Sequence, residues 1–156
     1  MEYQVRAARI TDIDRLVVLY DDVLRASRAA DAEHPLDAAD LLRQLVYLPQ
    51  ATILVAEARR EVAGGAVLAL RPSVRAGGFV GTVDLLVVDP RHDPDRVTEV
   101  LIEEVLRSAR NKGCVAVEAA QPDDPAERTR WDRFGFGGAG PTIERRVAAE
   151  RASSRH

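Results

Sequence analysis

Val83-Asp84-Leu85-Leu86-Val87-Val88, followed at once by Asp89-Pro90-Arg91-His92 and then by Asp93-Pro94-Asp95-Arg96, is the stretch on which the fold turns. The run from Phe79 to Val88 is uninterrupted and apolar towards its end, the pattern of a central strand buried on both faces. Pro90 cannot continue such a strand. Asp93 followed by Pro94 is a helix start, with a carboxylate at the N-cap and a proline at the first helical position. From there Val97, Val100, Leu101, Val105 and Ala109 recur at helical spacing, widened by Ile102 and Leu106, so the sequence predicts a helix from Asp93 to Arg110. Gly113 stops it, and Cys114 to Ala119 reads as the next strand. A helix between two strands of these lengths makes a parallel βαβ unit.

Upstream, Tyr3 to Ala8 reads as a short strand. Thr11-Asp12-Ile13-Asp14 offers a capping hydroxyl with an acid three positions later, opening a helix to about Arg25. Ala26 to Leu36 is a loop or broken helix, and Asp37 to Leu48 is a second helix ended by Pro49. Thr52 to Ala56 and Val62 to Leu70 are strands joined by a polar turn at Glu57 to Glu61. Pro72 to Gly78, rich in Gly and Pro, reads as a mobile loop. Downstream, polar Gln121 to Glu127 leads into a short helix near Glu127 to Phe134. Thr142 to Val147 is a last strand, and Ala148 to His156 a polar tail. The expectation is one α/β (α+β) domain over 1–147 with a tail at 148–156. Its sheet is mixed and mostly antiparallel, with a central parallel βαβ unit and flanking helices.

Composition narrows the function classes. A chain of 156 residues, 46% hydrophobic and 30% charged, can bury a core without disulfides or metals. Aromatics are only 4%, so that core is aliphatic. The lone cysteine, Cys114, excludes an internal disulfide and reads as a small buried hydrophobe, which implies a reducing, cytoplasmic setting. No signal-peptide core or membrane-length apolar run occurs. The net charge is −3, and the arginines are interleaved with acids rather than gathered into a stripe, which argues against nucleic-acid binding. No metal-ligand spacing is present, and His92, the histidine nearest the central turn, reads as a surface turn residue.

The order strand, Val88-Asp89-Pro90 turn, helix, strand, and then Trp131-Asp132-Arg133-Phe134-Gly135-Phe136 resembles the GNAT N-acetyltransferase superfamily over about Val5 to Val147. Leu101-Ile102 falls in register with the paired aliphatics that follow the family's turn. The resemblance implies acetyl-CoA as acyl donor, with backbone groups of Leu86, Val87 and Val88 pairing with its pantetheine amides. It also implies that the diphosphate sits on helix amides at Arg96, Val97 and Thr98. The acceptor would be an amine of a small molecule or peptide, and family members often form homodimers.

Two departures stand out. Asp93-Pro94-Asp95-Arg96-Val97-Thr98 occupies the place of the family's R/Q-x-x-G-x-G/A turn and keeps none of its diagnostic residues. An Asp93 cap would accept hydrogen bonds from the amides a diphosphate needs. A carboxylate about 5 Å from one phosphate charge costs roughly 3 kcal/mol at an effective dielectric of 20 and under 1 in water. Asp93-Pro94 therefore reads either as a feature that weakens or shifts coenzyme binding or as a helix cap with no ligand nearby. Second, the tyrosine that protonates the leaving thiolate in many members is Trp131 here, whose indole N–H donates but does not titrate. Packing as a pocket wall is its simpler role. Asp84 is the candidate general base, expected on the same strand face as Leu86 and Val88; the alternative is an Asp satisfied by an arginine or by loop amides. Glu57 and Glu118 are weaker candidates. Two functions follow: an N-acyltransferase acting by direct attack, or an inactive member of the same fold serving as a ligand-binding or protein-interaction module.

Overall fold

A computed structural model of the chain describes residues 2–27, 38–138 and 145. Among the described residues five strands form one sheet in sequence order: β1 Gln4–Ala7, β2 Ala51–Ala58, β3 Glu61–Ser73, β4 Gly78–Val88 and β5 Cys114–Ala119. The first three pairings are antiparallel and β4–β5 is parallel. Helices α1 (Ile13–Ser27) and α2 (Ala38–Leu45) lie towards one face. Helix α3 (Pro94–Asn111) crosses from β4 to β5 over the other, and α4 (Pro125–Asp132) follows β5. This is the mixed sheet and parallel βαβ unit that the apolar run and the helical stripe predict. Thr142 to Val147 and the tail from 148 lie outside the described residues apart from Arg145.

The core is split by the sheet into two aliphatic layers. Leu54, Ala56, Ala66, Leu68 and Val83 pack with Val97, Leu101 and Val105 of α3. Ile53, Val55, Val67 and Val87 pack with Ile13, Leu16 and Leu19 of α1 and Leu42 of α2. Strand β3 is buried from Val62 to Leu68 because helices cover it on both sides. Its Gly64-Gly65 pair permits that approach. A Cβ on Gly64 would lie 2.6 Å from the Val87 carbonyl oxygen and 2.9 Å from Val97, and one on Gly65 would lie 2.4 Å from Leu16.

Three local readings are corrected. A 3-10 turn at Ile10–Asp12 precedes α1, and the Asp12 carboxylate, not Thr11, caps it by accepting from the Arg9 amide at 2.7 Å. Strand β3 continues through Pro72 to Ser73, with Pro72 opposite Phe79, so the supposed loop shrinks to Val74–Gly77. The β2–β3 connection is a two-residue turn in which Arg59 and Arg60 both have positive φ, 52° and 65°. Those are glycine and asparagine conformations, imposed here by the long hairpin on either side.

Candidate active site

Strand β4 is where the site is built. Its parallel pairing with β5 runs from Phe79↔Cys114 to Val83↔Ala119 and goes no further, while its antiparallel pairing with β3 continues to Val88↔Gly64. The strands therefore part after Val83. The Asp89 amide donates to the Ala63 carbonyl at 2.7 Å. Alternation along a strand then directs the backbone of Val87 towards β3 and turns the N–H and C=O groups of Leu86 and Val88 to the side β5 has left. Among the described residues those groups face no strand.

Asp84 sits at the fork. The register shifts between Val67↔Leu85 and Leu68↔Val83, leaving Asp84 as the extra residue of a β-bulge. Val83, Leu86 and Val88 all meet the α3 layer, whereas Leu85 and Val87 meet the α1/α2 layer. The alternation is therefore interrupted between Val83 and Leu85, at Asp84 itself. Asp84 is exposed, and no arginine or loop amide among the described residues is hydrogen-bonded or ion-paired to its side chain.

Beyond the strand, Asp89 is 2% exposed and ties the turn together. Its carboxylate accepts from the Arg91 amide at 2.9 Å, from the Arg91 guanidinium at 2.8 Å, and from Arg15 of α1. Those donors, Arg91 first, hold its carboxyl down at about 2 despite burial. His92 is not a free surface residue: its side chain is 9% exposed, with Nδ1 3.2 Å from the Tyr3 hydroxyl and Nε2 3.3 Å from Glu61. The Tyr3 hydroxyl also accepts from the Asp93 amide at 3.3 Å. Glu61, Asp89 and His92 bring ligand-type atoms within 4.8 Å of one another. Both carboxylates are already matched by guanidinium groups, Glu61 by Arg91 at 3.0 Å, so the donor set suits an ion-pair network better than a cation.

At the start of α3 the Asp93 carboxylate accepts from the amides of Asp95 and Arg96 at 3.1 and 3.2 Å, with Pro94 at the first helical position. The Val97 amide donates to the Asp93 carbonyl at 3.0 Å. The family resemblance puts a diphosphate on the amides of Arg96, Val97 and Thr98, and an Asp93 cap is expected to compete for them. The amides of Arg96 and Val97 are indeed taken, and the side chains of Val97 and Thr98 are buried. Next to them a cleft of about 190 Å³ opens between α3 and α4, lined by Asp95, Glu99, Glu103, Arg130, Arg133 and Phe134. Arg130 is paired with Asp95 across it, which lowers the Asp95 pKa.

The remaining candidates have settled roles. Trp131 packs against the α3 layer and meets Phe136 edge-on, ring centroids 4.8 Å apart. Gly135, at φ 84°, supplies the left-handed turn that brings Phe136 back to it. Glu57 is 3.2 Å from Arg6 and Glu118 is 3.6 Å from Arg71, so neither is free. Cys114 is half-buried rather than fully enclosed. Sequence reading missed Tyr3, Glu61 and the buried role of Asp89.

A mixed sheet, five strands among the described residues, whose parallel pair splays beside a strand–turn–helix is the GNAT-type architecture. The sequence model described as "Acetyltransferase (GNAT) family" matches residues 16–136, and the chain belongs to that family. No curated protein sequence matches it. Among solved structures it is similar to a transcriptional regulator from Bacillus halodurans C-125, with TM-score 0.77 and 17% identity, covering 94% of this chain and 100% of that one. An integron cassette protein from the mobile metagenome of Cole Harbour Salt Marsh gives 0.76 and 24%, covering 93% and 90%. The ribosomal-protein-alanine N-acetyltransferase of Brucella melitensis biovar Abortus 2308 gives 0.73 and 14%, covering 94% and 100%. At these identities the structures speak for the fold alone. Membership of the family supports acyl transfer in general terms, and the family generally uses acetyl-CoA.

The site fits one part of that donor and not the other. The backbone groups of Leu86 and Val88 suit the amides of a pantetheine arm. The capped, acidic start of α3 does not suit a diphosphate.

Proposed function

We propose that this chain is an N-acyltransferase that takes an acyl group, acetyl in the simplest case, from a coenzyme A-type thioester and passes it to an amine of a small molecule or peptide. The observation that carries the reading is the fork at Val83↔Ala119, which leaves backbone donors and acceptors on Leu86 and Val88 beside an unpartnered carboxylate. A thioester held there would supply an activated carbonyl, with a C–N bond forming to the amine as the C–S bond breaks. Leu86 and Val88 orient the arm by strand-like pairing, and Val87 anchors β4 against β3. Asp84 takes the proton lost by the attacking amine, directly or through one water. Trp131, packed on the α3 layer and against Phe136, supplies no proton, so the departing thiolate is protonated by water.

A second reading is supported by Asp93 and Trp131. The helix amides are filled by a carboxylate, and the usual acid is an indole packed on the core. On that reading the fold is a binding module without turnover. Calorimetric titration with acetyl-CoA and CoA at low salt separates the two. Micromolar binding, followed by turnover in an amine screen that Asp84→Asn lowers about a hundredfold or more, supports the enzyme. Absence of binding at millimolar ligand supports the module. A reducing, cytoplasmic setting and a homodimer complete the proposal; light scattering of the purified protein tests the latter.

A further inference from the structure

The mismatch at the start of α3 separates the two halves of the donor. We infer that this chain recognises its donor by the pantetheine arm, and that acyl thioesters of pantetheine, or of phosphopantetheine lacking the adenylyl half of CoA, are full substrates. The inference rests on the acyltransferase reading and names the donor class for the same site.

Three observations support it. The amides that would hold a diphosphate are occupied: Asp93 takes those of Asp95 and Arg96, and its carbonyl takes that of Val97. The flanking cleft sets three carboxylates, Asp95, Glu99 and Glu103, against two guanidinium groups, and Arg130 is committed to Asp95. Arg96, the remaining cation of the first turn, is held by Glu99 at 2.6 Å. A polyanionic nucleotide entering there must displace a helix cap and two ion pairs and meets net negative charge. The fork of β4 and β5 is untouched by any of this, and its backbone groups carry no charge preference. Free acyl-pantetheine brings no phosphate to the acidic cleft, and an arm on a carrier protein brings one phosphodiester and no adenosine. Free acyl-pantetheine and an acyl carrier protein offer the same arm, and the two sources are separable by experiment.

The test compares CoA, pantetheine and a holo acyl carrier protein as ligands of the intact chain by calorimetry, then their S-acetyl forms as donors to one amine. Pantetheine is expected to bind within about threefold of CoA. A diphosphate grip would make CoA tighter by tenfold or more, and that result overturns the inference while leaving the acyltransferase reading in place. Binding by none of the three overturns both. Turnover with acetyl-pantetheine supports the inference and identifies the free arm as sufficient; turnover with the acetylated carrier and not with acetyl-pantetheine means that the carrier's own surface contributes, and overturns it. Asp93→Gly with Pro94→Gly provides the internal control. It is expected to raise CoA affinity at least threefold and leave pantetheine unchanged, with the melting temperature showing that the variant is folded. An unchanged CoA-to-pantetheine ratio in that variant counts against the blocking role of the cap and overturns the inference.

Discussion

Replacing Asp89 by Asn isolates the contribution of the one nearly buried carboxylate at the end of β4. Asn keeps an acceptor for the Arg91 amide and nearly the same volume, so what is removed is charge. The folded carboxyl titrates at about 2 against an ordinary value of 3.8. That difference corresponds to roughly 2 kcal/mol of stability at neutral pH. The sign follows from the direction of the shift. A depressed folded pKa gives stability that is fully present above the unfolded value and is lost as pH falls through the folded one. The window therefore runs from about pH 4 down to about pH 2, and at about pH 3 close to half of the contribution, about 1 kcal/mol, is gone. Urea denaturation of wild type and Asp89→Asn at about pH 6 and about pH 3 reads this directly, because the other carboxylates cancel in the difference. The gap between the two proteins is expected to narrow by about 1 kcal/mol at the lower pH. A gap that stays the same size at both pH values would refute the assignment of the stabilisation to the ionised form. It would point instead to the shape of the turn.

Other positions give independent checks. Arg6 donates to Asp12 at 2.8 and 3.0 Å and to Glu57 at 3.2 Å, so Arg6→Met strands a nearly buried Asp12 and is expected to cost about 1–3 kcal/mol in chemical denaturation. Gly64→Ala forces a Cβ against the Val87 carbonyl and Val97, and the expected loss is about 1–3 kcal/mol; an unchanged melting curve would mean that β3 and α3 are not held this closely. Arg59→Asn with Arg60→Gly relieves two positive-φ positions and should raise stability by about 1–2 kcal/mol, while a fall would assign the arginines a contact that matters. Asp84→Asn should leave the melting temperature within a degree or two, since the side chain is exposed and unpaired among the described residues, and on the proposed reading should lower kcat far more than it changes KM for the amine. A parallel loss of stability would mark Asp84 as structural.

The end of β4 and the start of α3 were legible because their determinants are local. Asp93 and Pro94 define a helix cap within four residues of chain, and the structure places that carboxylate on the two amides the spacing implies. The stripe from Val97 to Ala109 and the apolar run ending at Val88 fix the βαβ unit in the same way, through periodicities that need no distant partner. The bulge at Asp84 was not legible. Leu85-Leu86-Val87-Val88 is apolar at every position, so either phase of the alternation satisfies both helix layers, and the choice is made by the register with β3. Nor could the sequence bring Tyr3 to His92, 89 positions away, or Arg15 to Asp89, 74 away, because those contacts exist only once β1 and α1 are packed. The same division explains why the proposed function names a donor class but no acceptor. The proposed donor groups lie on one strand end and one helix start, which neighbouring residues specify. On the proposed reading the amine approaches Asp84 across surfaces assembled from separate elements, where residue identity alone fixes neither distance nor orientation.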